Sequence, residues 1–401
     1  MRKILVLALG AFALGLDAYV MAGLLPVIAG DTGSTVPVVA QMVTAFTLAY
    51  AIAAPLSAAA LAGAGTRTVL VLSLAVFTVA NGMTAVATGL PLLIVSRVIA
   101  GAGAGLYSSQ ASTAAAALAA PGRQGRALAT IMGGMSAGTV LGVPLGVLLA
   151  EHAGWRATLW LITALGAAVL AAMAWLPPVP AGAVASARER LTVLVDRRIA
   201  PVAGVSFLAA VASLGLYTYL APVLADAGGV RDVAPYLWAW GIGGVVGSVA
   251  VGPIVDRIGR VRGLMVVIIG GLALSQALLP LFAHMAAPLA VLPLVVWGMV
   301  GWATQVPQQQ RLLELGGERR GGVAVAMNNS ALYLGSAAGS ALGGVAMSAG
   351  LTAGALPWAA AAVAALGLLL QVFGVRDRPA AATGTATAPH LGREAVAEER
   401  N

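Results

Sequence analysis

The chain breaks into twelve apolar stretches, each about long enough to cross a bilayer's ~30 Å hydrocarbon core as a helix rising ~1.5 Å per residue. They cover residues 4–29, 38–61, 68–88, 91–117, 126–150, 155–176, 200–225, 234–256, 261–283, 287–308, 320–349 and 353–374. Hydrophobic residues make up 60% of the 401 positions and charged residues 9%, where a soluble domain carries about 25% charge. A soluble fold could not cover its surface with this composition, whereas lipid can accept it. The first run starts Met1-Arg2-Lys3, and Ala11-Phe12-Ala13 is similar to a cleavage site. The run nevertheless continues to Ile28, too long for a signal peptide's apolar region, so it is read as the first span.

The loops carry the orientation. With the N-terminus placed in the cytoplasm and loops alternating, 19 of the 22 basic residues fall on the cytoplasmic side. Only Arg156 and Arg231 lie in outer loops, and Arg97 lies inside a span. This asymmetry follows the positive-inside pattern and supports the even span count. The reading gives an all-α membrane protein in two halves, 1–176 and 200–374. A cytoplasmic linker, 177–199, joins them, and 375–401 is an Ala/Thr/Pro-rich cytoplasmic tail expected to be disordered.

Several function classes drop out. The net charge of +8 does not mark a nucleic-acid binder, because the basic residues lie in short connections rather than on a patch. No cysteine is present, which removes disulfides and thiolate chemistry. His152, His284 and His390 are too dispersed for a metal site. Gly101-Ala-Gly103-Ala-Gly105 has the look of a nucleotide loop but sits inside an apolar span with no preceding strand. Neither an enzyme, a metal site nor a cofactor is expected.

The halves repeat. Gly138, Gly142 and Gly146 in span five, with Pro144 among them, recur as Gly335, Gly339 and Gly343 in span eleven at a spacing of 197. Parallel six-helix repeats joined by a long loop describe a transporter of two bundles. Glycines four apart lie on one helix face and admit close backbone approach. Packing accounts for part of this, and the ridges, with Gly243 and Gly247 of span eight, are expected to form a moving interface.

Embedded charge is expensive and so points to function. Asp17 is the one acid deep in a span and Arg97 the one base. Both depths fall near the outer half of the midplane region, so a direct pair is expected. A buried carboxylate is disfavoured by desolvation and favoured by a guanidinium, so a small movement can switch its proton. The deprotonated acid would lean on Arg97 or on a cationic part of a substrate. The plainer alternative is an ion pair that only fixes packing. Among aromatic and amide residues in the spans, Tyr19, Tyr107, Gln110, Tyr217, Tyr219, Trp302, Gln305 and Asn328 are the candidate substrate contacts, since a polar amide is costly against lipid. Trp238 and Trp240 are read as interface anchors.

The motifs in order resemble the major facilitator superfamily, in its twelve-span drug:proton antiporter group. Within that group the resemblance is to the arabinose-efflux-permease-like branch, which includes chloramphenicol exporters. Gly15-Leu-Asp17-Ala-Tyr19 through Pro26 is similar to its first-span signature. Arg97-Val-Ile-Ala-Gly101 is similar to the fourth-span motif, whose arginine the family ties to proton transfer. Gly138 to Gly146, followed by Gly154-Trp155-Arg156, resembles the fifth-span antiporter motif. Tyr217 to Pro222 and Asn328 to Gly335 resemble spans seven and eleven. One departure stands out. The family's acidic loop motif between spans two and three is replaced by Leu61-Ala-Gly63-Ala-Gly65-Thr-Arg67, while its second copy, Asp256-Arg257-Ile-Gly259-Arg260, is intact.

The resemblance implies a monomeric, proton-coupled exporter of a small molecule in a bacterial inner (plasma) membrane, with spans one, four, seven and ten lining its cavity. It also implies gating by the Asp256–Arg260 loop. Export of a sugar or other polar metabolite, and a non-transporting sensor or scaffold, stay open as alternatives. A mostly aromatic cavity with one acid favours lipophilic neutral or cationic compounds over sugars.

Overall fold

The structure, a computed structural model, describes residues 2–60, 65–120, 123–174, 195–258 and 261–375, with isolated positions 179, 189, 192 and 193. Most of the linker, all of the tail after Val375, the Leu61–Ala64 stretch and Arg260 lie outside the described residues.

Among the described residues the fold is helical throughout. In the first half α1 is Arg2–Asp31, α2 is Gln41–Ala60, α3 is Thr66–Val86 and α4 is Leu90–Leu118. Next, α5 runs as Gln124–Ala137, a π-helical turn Gly138–Gly142 and Val143–Ala153, and α6 is Trp155–Met173. In the second half α7 is Ile199–Thr218, continued after a break at Tyr219 by Leu220–Gly228. Helices α8, Ala234–Ile258, and α9, Val261–Met285, follow. Helix α10 is Val291–Ala303 extended by the start of Gln305–Ser348, and α11 is the rest of that stretch after Gly317. Gly317 sits at φ 60, ψ −166, a backbone region essentially reserved for glycine, and there the chain turns from α10 into α11. Last comes α12, Leu356–Leu369, with a π-helical extension Leu370–Gly374.

Among the described residues, eleven helices are long and apolar enough to cross a membrane by length and composition. Helix α11 falls outside that set because glycine, serine and the Asn328-Asn329 pair dilute its apolar residues. It nevertheless packs along α7 in the second half, as α5 packs along α1 in the first. Outward-facing side chains such as Val79, Val249 and Val267 are apolar, as lipid contact demands.

Both halves tie their helix ends alike. Arg67 Nη2 at the start of α3 donates to Ala174 O at 3.0 Å, and Arg262 Nη2 at the start of α9 donates to Val372 O. Arg67, at the end of the stretch that replaces the family's acidic loop motif, therefore holds the end of α6. At the opposite ends, Asp31 of α1 accepts from Trp155 Nε1 at 3.2 Å and Arg156 Nη1 at 2.7 Å. Asp226 of α7 accepts from Gly354 N at 2.7 Å in the same way. Polar ends anchored across each half leave the helix interiors free to be apolar.

Candidate functional site

The site is built around a glycine run. A Cβ at Gly105 would lie 2.6 Å from Tyr50 O, one at Gly103 would lie 2.8 Å from Phe77 N, and one at Gly101 would strike Phe46 O. These three glycines let α4 touch the α2 and α3 backbones, closer than any side chain permits. One turn before the run sits Arg97, and the close approach brings Phe46 of α2 and Asn81 of α3 beside it.

Asp17 and Arg97 form a forked pair. Arg97 Nη1 donates to Asp17 Oδ1 at 2.8 Å and Nη2 to Asp17 Oδ2 at 3.0 Å. Their side chains are 0% and 1% exposed, which only pairing makes tolerable. Arg97 Nη1 also donates to Asn81 Oδ1 at 3.2 Å, and Asn81 Nδ2 donates to Phe77 O at 3.0 Å. The guanidinium carbon lies 4.4 Å from the Phe46 ring centroid. Arg97 Nε has no partner.

Next to Asp17 on α1, Ala18, Tyr19 and Ala22 turn toward the second half. Together with Val43, Leu214, Tyr217, Thr218 and Ser336 they line a central cavity of ≈ 20 Å³. Asp17 is not among these lining residues; its carboxylate is turned into the first half. Of the two partners expected for Asp17, the structure shows Arg97. A drug-sized pocket holds roughly 300–1,000 Å³, so in this conformation the centre is closed around its own side chains.

Those side chains form an aromatic layer between the halves. Tyr19 meets Tyr217 edge-on at 5.7 Å between centroids, Trp240 at 6.0 Å and Trp302 at 6.5 Å. Tyr217 and Trp240 are 4.3 Å apart, and Trp297 joins Trp240 at 6.3 Å. Tyr50 of α2 stacks on Tyr333 of α11 at 3.6 Å. Trp240 is thus no interface anchor: it is 1% exposed within the layer, with its indole Nε1 unpartnered. Sequence reasoning missed it because a tryptophan near a span end reads the same whether it faces lipid or the interior. Trp238, two residues away, is 37% exposed.

Other candidates are placed differently. Tyr107 is buried and donates to Leu7 O at 2.9 Å across α4 and α1. Tyr219 is buried and donates to Ser340 O across α7 and α11. Both hydroxyls are spent on helix-to-helix ties. Gln110 is half-buried. Gln305, also half-buried, accepts from Gln309 Nε2 at 3.5 Å. Asn328 is buried with Oδ1 unpartnered.

The ridge glycines face helices of their own half. Gly138, Gly142 and Gly146 pack on Phe12, Leu16 and Val20 of α1, and Gly335, Gly339 and Gly343 on Phe207, Val211 and Tyr219 of α7. Gly243 and Gly247 pack on the α10 backbone at Val295 and Met299. These contacts lie within one half, while the same helices also meet the other half, as where Gly241 of α8 packs on Val140 of α5. Pro144 is buried just after the π-helical turn. Asp256 and Arg257 are exposed at the end of α8.

A larger cavity of ≈ 790 Å³ opens between the halves at the loop ends. Gly23, Pro26, Glu151, Asp226 and Arg231 are among its lining residues.

Two halves that meet at an aromatic layer, with a buried ion pair inside the first of them, fit a membrane transporter. The chain belongs to the Major Facilitator Superfamily, whose family model matches residues 7–340. It is 30% identical over 381 residues to the inner membrane transport protein YdhP of Escherichia coli (strain K12), covering 94% of this chain and 96% of that one. With a chloramphenicol resistance protein of Streptomyces lividans it shares 32% identity over 379 residues, 91% of this chain and 94% of that one. The fold is similar to a crystal structure of a D-xylose–proton symporter, at a TM-score of 0.78 and 17% identity, covering 93% of this chain and 97% of that one.

Proposed function

We propose that this transporter exports small, partly apolar compounds by alternating access, in exchange for protons, from a bacterial inner membrane. The observation that supports it most is the forked Asp17–Arg97 pair, sealed within the first half yet on the same helix as Tyr19, which reaches the central layer. Protonation of Asp17 removes the charge that holds Arg97, so α1 is freed to shift. A shift of α1 moves Tyr19 against Tyr217, Trp240 and Trp302. Proton and substrate then act on one helix from opposite faces, and competition is indirect. Relatives named for chloramphenicol resistance and efflux support the export direction. The aromatic lining supports lipophilic over sugar substrates. The charge asymmetry of the loops supports cytoplasmic termini and linker, and the pairing of bundles within one chain supports a monomer.

The test is efflux of chloramphenicol from vesicles under imposed pH gradients at matched protein level. Asp17→Asn mimics the protonated state permanently; it is expected to abolish uphill efflux while leaving downhill flux. Full gradient-driven efflux by this variant would overturn proton coupling at Asp17.

A further inference from the structure

The charged pair has a neutral double. In the second half, Trp297 Nε1 of α10 donates to Ser213 Oγ of α7 at 2.7 Å, on the two helices that answer to α4 and α1, which carry Arg97 and Asp17. Gln276 of α9, the helix that answers to α3 with its Asn81, donates from Nε2 to Ala212 O at 2.9 Å. The same three helices of each repeat therefore meet at one polar spot. In the first half the spot carries charge and in the second it does not. In the second half the amide serves the backbone of α7, whereas in the first Asn81 Oδ1 serves the arginine itself.

We infer that Asn81 is a positioning residue for coupling, and that the device is confined to the first half. The inference rests on the proton-coupled reading above. Arg97 Nη1 carries two hydrogens: one reaches Asp17 Oδ1 and the other Asn81 Oδ1. Asn81 is itself held by Phe77 O, so its oxygen is fixed in place. When Asp17 takes a proton, Arg97 loses its ionic partner but keeps Asn81 and the Phe46 face. It stays poised to recapture the carboxylate when the proton leaves. Without Asn81, Nη1 has a buried hydrogen with no acceptor and the fork on Asp17 loosens.

Among the described residues, the other charged groups of the neighbouring helices lie away from this spot. Charged or imidazole groups on the surrounding helices sit toward helix ends: Arg2, Lys3 and Asp31 on α1, Arg67 on α3, Arg126, Glu151 and His152 on α5, Arg156 on α6, and Asp226 on α7. The phenols nearest in sequence are Tyr19, which lines the central cavity, Tyr50, stacked on Tyr333, and Tyr107, tied to Leu7.

The experiment measures the pH midpoint of gradient-driven chloramphenicol efflux in vesicles at matched protein level. A loosened fork predicts an alkaline shift of the efflux midpoint for Asn81→Leu of at most about 1 pH unit, because Arg97 keeps Asn81 whether or not Asp17 is protonated and only the difference between those states moves the midpoint. In the Asp17→Asn background, Asn81→Leu is expected to add no further change to residual downhill flux, since the group it positions for is gone. Gln276→Leu, on the matching helix, is expected to change rate or abundance without moving the midpoint. If Asn81→Leu does not accumulate, Asn81→Ser replaces it, because its hydroxyl bonds back to the helix and cannot reach Arg97. An unmoved midpoint, or equal losses in both backgrounds, overturns the role of Asn81. Should Asp17→Asn keep full gradient-driven efflux, the proton-coupled reading falls first and separately.

Discussion

The α1–α5 contact gives a sharp test, because two glycines on one ridge differ in what they touch. A Cβ at Gly138 would lie 2.9 Å from Phe12 C and 3.0 Å from Leu16 N, and nearer still to Phe12 O. Carbon atoms pack best at about 3.5–4.0 Å, so Gly138→Ala forces two backbones apart by roughly 0.5–1 Å, and neither can rotate away. Such overpacking costs about 1–3 kcal/mol. A Cβ at Gly142 would meet only the Leu16 side chain, at 3.2 Å from its Cβ and Cδ1. Much of that side chain can change rotamer, so Gly142→Ala costs less, on the order of 1 kcal/mol or below. Gly138→Ala also pushes on α1 between Tyr107's tie at Leu7 and Asp17, and so disturbs the Arg97 fork. The assay is the fraction of monodisperse protein surviving a heating series in detergent, paired with vesicle efflux. Gly138→Ala should lose both stability and transport, and Gly142→Ala should keep most of each. If the two variants behave alike, the ridge is looser than its geometry and the argument fails.

Tyr107→Phe and Tyr219→Phe each remove one buried hydroxyl tie, worth about 1 kcal/mol; both should lower thermal survival while leaving the substrate concentration at half-maximal efflux unchanged. A shift in that concentration would place them at the substrate site. Topology is checked with single cysteines at Ser34 and Ala187 in the cysteine-free chain: an impermeant thiol reagent should label the first and not the second in intact cells, and the reverse pattern refutes the orientation.

Much of the architecture was legible in the residues because lipid imposes a one-dimensional rule. A run of about twenty apolar residues must be helical and must cross, so spans, repeats and the family resemblance follow from local composition. The same rule picked out Asp17 and Arg97, since charge inside a span is rare enough to force a partner. It could have found Asn81 and Gln276 too, as amides inside spans, had facing been readable. Helix facing is what one dimension leaves out. Nothing along the chain distinguishes Tyr217, in the central layer, from Tyr219, spent on Ser340, because every face of a buried span is apolar and gives no phase.

The sequence by itself determined that this chain crosses the membrane many times, repeats itself, and carries one buried acid and one buried base. Tertiary structure alone decided that Asp17 turns from the cavity toward Arg97, that Trp240 faces inward, and that the glycine ridges bind helices within a half. The reason is physical: composition sets the transfer of a helix into lipid, but its rotation is chosen by which small residues let neighbouring backbones touch.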